Sequence, residues 1–470
     1  MADSYFKDES ILISGPSFHV DLAGLDAFHP VHYSSRLMIF RCSSSTQRDA
    51  QLTALKTGLQ GLVNRCPMLG GIVVPLHPDE VQVGKEDWRT IVPDKGIELV
   101  VRDLRPKMPS FEELEAANFP TLKLPYDLLT TVPRGIGNDR PYAAFKVQYS
   151  AIEGGSIITI SISHSIGDGA GTNELTRVLA EETRRAQVSS SESSKEVLPG
   201  PATMQDRSAL RNLESKTPFN IKDHPAYLWP SAPSATKPKE TTPHPFSTTS
   251  TEISVLLQIP PTKLSQLKAD ATTPSAPFIS THDSLAALTW RSLLLIRSRR
   301  SPSHPVPSST LGSIFFPSDA RRHLNLPDSY TGNCVYQLKA SLPLSTLFSP
   351  SGLREAASAI RRAITDVTPE KVVSLLAETN ERWPSWGFME KYATTGVGMG
   401  TDWTSGGLYS LDWGEAFGGL VRYRYPGMIG GAGSCILPKL RDGSAEVVVA
   451  VLPEEEELLR SEECFGRYIT

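Results

Sequence analysis

The 470-residue sequence carries 47 Lys+Arg against 51 Asp+Glu, a net charge of −4, with 39% hydrophobic and 21% charged residues. That balance suits a globular protein long enough for two domains of ordinary size, and it excludes the strongly basic surface that nucleic-acid binding calls for. No uninterrupted apolar run reaches the roughly 18 residues of a membrane span. The opening MADSYFKDES is polar and acidic, unlike a secretory signal, and the closing CFGRYIT carries no lipidation or retention motif. The five cysteines, Cys42, Cys66, Cys334, Cys435 and Cys464, are scattered and form no CxxC pair, so they read as free packing thiols of a cytosolic protein, with no zinc site among them.

Along the chain, TALKTGLQGLVNRC (53–66) has the spacing of an amphipathic helix stopped by Pro67. SIITISIS (156–163) alternates apolar and polar residues, which predicts a strand with one buried face. ELTRVLAEETRR (174–185) places Leu175, Val178 and Leu179 at helical spacing. Two stretches, Arg184 to Ala202 and Trp229 to Thr251, are rich in Ser, Thr and Pro and predict exposed, mobile connection. Residues 186–250 are therefore expected to form a long crossover between an N-terminal half, 1–185, and a C-terminal half, 251–470. In the second half THDSLAALTWRSLLLIRSRR (281–300) reads as a long helix and AEVVVAVL (445–452) as a buried strand. No internal repeat is evident. The class is α/β or mixed α+β, in two parts.

The stretch SISHSIGDGAGTNEL (161–175) carries the chemistry. Ile158, Ile160, Ile162 and His164 share one strand face, so His164 is the last inward-pointing side chain before the chain turns at Gly167. A neutral imidazole there, walled on one side and open to substrate on the other, suits a general base. Asp168 follows inside a Gly-Asp-Gly turn, whose glycines are expected to allow a sharp bend. It either orients the histidine or pairs with a cation that fixes the turn. The same glycines could instead cradle a phosphate, but Thr172 stands where a G-x-G-x-x-G fingerprint needs its third glycine, and no P-loop Lys-Ser/Thr follows.

Six stretches, in order, resemble the BAHD family of CoA-dependent acyltransferases. His164 to Gly169 resembles its HxxxDG motif, and LAGLDAFHP (Leu22 to Pro30) its N-terminal LsxLD. FISTHDSLAALTWRSLLLIRSRR is similar to its iSTfDaLaAhiWrc helix, and IFFPSDARRHLNLPDSYTGNCVY to its DxRxrlnPplPxxYfGN segment. TDWTSGGLYSLDWGEAFG resembles its TSW…DFGWG stretch, and DGSAEVVVAVLPEEEELL its C-terminal end. The resemblance implies two chloramphenicol-acetyltransferase-like domains with a tunnel between them, CoA entering from one face and the acceptor from the other. It implies His164 as general base, and an Asp168 that points away to pair with Arg321, with Arg322 as the rival. Thr401 and Trp403 match the motif's Thr and Trp and are expected to donate to the oxyanion. Gly169, Asp412 and Gly414 are implied as structural support, the last two in a turn shaping the CoA side. Gly332-Asn333 also reads as structural. Thr281 and Asp283 are assigned to acyl-CoA binding.

Two departures stand out. Asp402 replaces the serine of TSW, and Glu415-Ala416 breaks the GWG spacing. They place the chain nearer the transferases of fungal secondary metabolism than the plant enzymes. Arg297 to Arg300 could meet CoA phosphates, but basic residues at a helix end also complement its dipole, the reading preferred here. The expectation is an O-acyltransferase of specialised metabolites: a cytoplasmic monomer with acyl-CoA, most simply acetyl-CoA, as co-substrate, a small-molecule acceptor, and no metal, membrane or nucleic acid. N-acylation, a carrier-protein donor, an elimination or cyclisation in the same tunnel, and a binding protein that has lost catalysis are the alternatives; Ser163, where condensation enzymes carry a first histidine, argues against the carrier-protein donor.

Overall fold

The computed structural model describes residues 7–28, 32–82, 85, 87–134, 140–188, 197–228, 251–273, 278–300, 306–381, 385–386, 396–404, 406–426 and 433–469. In chain order its principal strands are β1 (Glu9–Ile13), β2 (Tyr33–Arg41), β3 (Ile97–Asp103), β4 (Phe145–Ile152) and β5 (Gly155–Ser163), then β6 (Ile253–Ile259), β7 (Leu311–Asp319), β8 (Val335–Pro343), β9 (Gly396–Asp402), β10 (Arg422–Arg424), β11 (Gly433–Ile436) and β12 (Ala445–Val451). The long helices are α1 (Ser45–Arg65), α2 (Gly169–Arg185), α3 (Thr281–Ser298) and α4 (Gly352–Thr365). The fold is mixed α/β, built on two six-stranded mixed sheets, ordered β1-β3-β4-β5-β2-β10 and β6-β12-β11-β9-β7-β8.

Local chemistry starts and stops the helices where the sequence says it should. Ser44 caps α1, its hydroxyl accepting from Gln47 N at 3.1 Å, and the helix ends before Pro67, which cannot donate to a further turn. A capping box opens α3: Asp283 N donates to Ser280 Oγ at 3.1 Å and Ser280 N to Asp283 Oδ2 at 2.7 Å.

Three expectations are corrected. First, β5 is buried at every position, not on one face. Ile158, Ile160 and Ile162 face the core that holds α1 and α2. Ile157, on the opposite face, joins Leu37 and Ile39 beneath Phe111 and Phe119. On that face Ser161 is satisfied by Ser35 at 2.8 Å, so burying it costs little, whereas the Thr159 hydroxyl is buried without a partner among the described residues.

Second, the C-terminal half does not keep its DFGWG-like segment. β10 adds antiparallel to β2, and Trp413 and Phe417 pack on Phe40 with ring centroids 5.4 and 5.0 Å away. Trp403, Trp413, Phe417 and Tyr423 thus belong to the first half's core. Burial worth about 1.5–3 kcal/mol per large apolar side chain holds the segment there.

Third, the described part of the expected crossover is not simply exposed. Leu198, Met204, Arg207, Leu210, His224 and Tyr227 are buried. Arg207 is held by the Asp26 carboxylate at 3.1 Å, with neither side chain exposed. A polar composition predicted solvent here because a buried ion pair has no sequence signature. Residues 189–196 and 229–250, the most Ser/Pro-rich parts, lie outside the described residues.

Candidate active site

His164 follows the last residue of β5, its main-chain N–H donating to His32 O at 3.1 Å. The ring is part-buried, and its Nδ1 lies 3.0 Å from Asn333 Oδ1. The Asn333 amide decides the tautomer. Its Nδ2 donates to His164 O at 2.7 Å and to Asp26 Oδ1 at 2.8 Å. The amide oxygen is then an acceptor, so Nδ1 carries the proton and Nε2 the lone pair. Burial, which opposes the charged form, pushes the imidazole pKa down to about 4. His164 is thus a neutral imidazole whose lone-pair nitrogen is chosen by Asn333. Arg207, Asp26 and Asn333 form a fully buried line behind it.

Asp168 does not touch the imidazole in this arrangement. It caps α2, accepting from Gly171 N at 2.9 Å, and takes a bidentate pair from Arg321 at 3.0 and 2.8 Å. Burial raises the carboxyl's pKa, but Arg321 and the N–H donors of Gly171 and Cys334 outweigh it and hold it below the usual range. Arg321 also donates to the carbonyls of Tyr330 and Gly332, at 3.1 and 2.8 Å, whereas the rival Arg322 is exposed. Asp26 and Asp168 grip successive main-chain N–H groups, Asn333 at 2.7 Å and Cys334 at 2.8 Å. Two carboxylates of the first half thereby pin one turn of the second.

The motif glycines serve close approach rather than bending. Neither Gly167 nor Gly169 has positive φ. A Cβ at Gly167 or Gly171 would stand 1.9 or 2.0 Å from Thr331 O, so only glycine lets the chain meet that carbonyl. At Gly169 a Cβ would face Trp403 Nε1 at 3.2 Å and Thr401 Oγ1 at 3.5 Å.

That convergence depends on a bulge. The pairing of β9 with β11 shifts between Met399 and Thr401, leaving Gly400 as the extra residue. A bulge resets the alternation of side chains, so Thr401 is aimed toward Gly169 of the first half. Trp403 follows, 3% exposed, its N–H donating to Ile436 O at 3.0 Å. Its indole Nε1–H is buried with no acceptor among the described residues. A buried donor of this kind, beside the turn that follows the base, is available to a substrate oxygen.

Residues 33–182 match the trichothecene 3-O-acetyltransferase-like N-terminal domain. Over 96% of the chain and 98% of the relative, the sequence is 25% identical to the eremophilane O-acetyltransferase prx11 of Penicillium rubens. It is 29% identical to the enoyl-CoA isomerase/hydratase claC of Penicillium crustosum over 98% of this chain, which spans only 52% of that longer protein. The fold superposes on the crystal structure of F. graminearum TRI101 complexed with coenzyme A and deoxynivalenol with a TM-score of 0.78, at 20% identity over 96% of this chain and 99% of that one. The chain resembles the BAHD-type acyltransferases in fold and in the order of its motifs.

The remaining sequence assignments fall as follows. Asp412 accepts from Gly414 N at 2.9 Å, and Gly414 has a φ of +80°, a turn that seats Trp413 in the core. Thr281 is the exposed first residue of α3. Asp283, assigned to acyl-CoA, is fully buried and turned inward, its Oδ2 taken by Ser280 N and by Arg361 Nε at 2.8 Å. Its Oδ1 is buried without a partner among the described residues, and the side chain presents no exposed face to acyl-CoA, which corrects that assignment. Arg297 bonds to Gly396 O, Arg299 to Glu463, and Arg300 to Glu455 at 2.7 and 2.9 Å, so this cluster is structural, as preferred from sequence. Asp402, the substituted serine, receives His282 Nδ1 at 2.6 Å and closes the Trp403 turn by accepting from Thr404 N at 2.8 Å. Sequence reasoning read Asn333 as structural only, without its contact to His164, and missed Arg207. The usable signal was the GN dipeptide, twelve residues beyond the Arg321 expected to meet Asp168.

No helix among the described residues is long and apolar enough to cross a membrane, and no cluster of three His, Cys, Asp or Glu among them could hold a metal.

Proposed function

We propose that this acyltransferase moves an acyl group, most simply acetyl, from CoA to a hydroxyl of a specialised metabolite. Its relatives named as O-acetyltransferases and the coenzyme A and deoxynivalenol bound in the TRI101 structure support the substrate classes. The observation that carries the reading is the neutral His164, its lone pair set on Nε2 by Asn333, at the turn where the unpartnered Trp403 N–H and Thr401 hydroxyl converge.

The chemistry follows from those groups. His164 Nε2 takes the acceptor's hydroxyl proton as its oxygen bonds to the thioester carbonyl carbon. The carbonyl π electrons move onto oxygen, where the Trp403 N–H and the Thr401 hydroxyl donate to it. The oxyanion then reforms the carbonyl, the C–S bond breaks, and the CoA thiolate takes the proton from the imidazolium. No enzyme-bound acyl group is formed. Asp168 and Arg321 hold the turn and do not relay the proton. The five buried thiols accord with a reducing, cytoplasmic setting, and the protein is taken as a monomer.

The test is thiol release from acetyl-CoA, malonyl-CoA and a longer acyl-CoA against a panel of hydroxylated metabolites, with wild type and His164→Ala. Acceptor-dependent CoA release that vanishes in the variant, with CoA binding intact, is expected. Near-normal turnover by His164→Ala would refute the base.

A further inference from the structure

Four arginine side chains are among the largest fully buried in the protein: Arg36, Arg207, Arg321 and Arg424. Three have a carboxylate: Arg207 has Asp26 at 3.1 Å, Arg321 has Asp168 at 2.8 Å, and Arg424 has Glu446 at 2.7 Å. Arg36 has none among the described residues. Its Nη1 donates to Asn173 Oδ1 at 2.7 Å and its Nη2 reaches Gly169 O at 3.4 Å, while its Nε is buried without an acceptor.

Burying an unneutralised guanidinium is costly, and proteins normally supply a counter-charge. This one is spent beside the site. Arg36 pairs with Ile160 across β2 and β5 and so lies on the face that ends at His164. Its guanidinium carbon stands 4.7 Å from the centroid of the Trp403 ring. A cation on the face of an indole draws electron density from the ring and makes its N–H a stronger donor. The surroundings are short of charge-balancing acceptors: Arg36 Nε and Trp403 Nε1 are buried with no well-aligned acceptor among the described residues, the only group set against Arg36 there being the neutral Tyr423 hydroxyl, and the Trp403 and Tyr423 rings lie 5.5 Å apart. Water could satisfy single atoms of such a cluster, but only an anion balances its charge.

We propose that Arg36 is the fixed cation of the oxyanion site, left without a counter-ion in the resting protein and acting through Trp403 when negative charge develops on the thioester oxygen. Arg36 is a positioning residue for the reaction and rests on the acyl-transfer reading above. Its charge destabilises the resting fold and stabilises the transition state, so removing it moves activity and stability in opposite directions.

The experiment uses the full chain as wild type, Arg36→Met, Arg36→Lys, Trp403→Phe and the Arg36→Met/Trp403→Phe double variant, with acetyl-CoA and the acceptor found above. For Arg36→Met, kcat falls about 30-fold, the worth of a desolvated cation–π contact, and Tm stays at or above the wild-type value. Both KM values stay within about twofold, because ground-state binding is untouched. Arg36→Lys retains part of the rate. In the Trp403→Phe background the further loss from Arg36→Met shrinks to about threefold or less, since the two act as a unit. An unchanged kcat, a Tm that falls with kcat, a variant that does not fold, or equal losses in both backgrounds would overturn the inference while leaving the acyltransferase standing. Wild-type silence toward every acyl-CoA would instead bring down the function itself, and this inference with it.

Discussion

Asn333→Leu isolates what chooses the basic nitrogen of His164. Leucine keeps the branching of asparagine at Cγ, in a larger side chain, and carries no polar atom. The change removes the acceptor 3.0 Å from His164 Nδ1 and the donors to His164 O and Asp26 Oδ1, at 2.7 and 2.8 Å. The main-chain N–H of residue 333 stays on Asp26 at 2.7 Å, so the carboxylate keeps one of its anchors. His164 Nδ1–H and His164 O are each stripped of this partner at about 1–3 kcal/mol, which places the loss of stability at about 2–6 kcal/mol. The lost Nδ1–H bond no longer holds the ring in the tautomer and orientation that present Nε2. That is a barrier increase of about 1.4–2.8 kcal/mol, or a 10- to 100-fold fall in kcat. KM for both substrates is expected to hold, because Asn333 acts through His164. Steady-state thiol release on the folded variant measures the split. A kcat within about twofold of wild type would show that Asn333 does not set the tautomer.

The other predictions concern charge and space. Activity needs neutral His164, whose pKa lies near 4, so kcat/KM should show no histidine limb between pH 8 and 5; an acid limb near 6.5 would place the base elsewhere. His164 and His224 both have folded-state pKa values pushed down to about 4 by burial. Above pH 6.5 both are neutral folded or unfolded, and as pH falls toward 4 the unfolded chain takes up protons that the native one refuses. Stability should therefore fall through that window by up to about 3 kcal/mol per histidine, read from denaturant midpoints at pH 7, 6 and 5. A flat midpoint would contradict the burial argument. Arg321→Met strands the buried Asp168 carboxylate and should cost about 3–5 kcal/mol of stability; a stable but inactive variant would mean that Arg321 contacts ligand. Gly169→Ala sets a methyl between Trp403 Nε1 and Thr401 Oγ1, at 3.2 and 3.5 Å. It should lower kcat by about 10-fold or more with Tm unchanged, since alanine suits a first helical residue. Wild-type turnover would mean that the oxyanion forms elsewhere.

Much of the outline was local and therefore legible. The α1 and α3 helices follow from apolar spacing, the Ser44 and Ser280 caps and the stop at Pro67. His164 was readable because strand alternation fixes where its side chain points and because its motif is contiguous. The pairing of Asp168 with Arg321 came from the family resemblance, 153 residues apart, and the structure forms it. Periodicity could not tell that β5 is covered on both faces. Ser161 and Thr159 look solvent-facing in sequence, and only the neighbouring strand supplies the hydroxyl that lets Ser161 be buried.

The sequence by itself determined where His164 sits, the helix that follows it and the helix that caps itself with Asp283. These depend on residues a few positions apart, where backbone geometry makes neighbours of them. Tertiary structure decided which nitrogen of His164 is basic, because Asn333 approaches from 169 residues away. It decided that Trp403 and β10 serve the first half although they lie in the second, because the edge of β2 was open and Phe40 needed cover. It also decided which buried arginine meets no carboxylate among the described residues. Charge balance in the core is a sum over everything within a few ångströms, and chain order does not carry that sum.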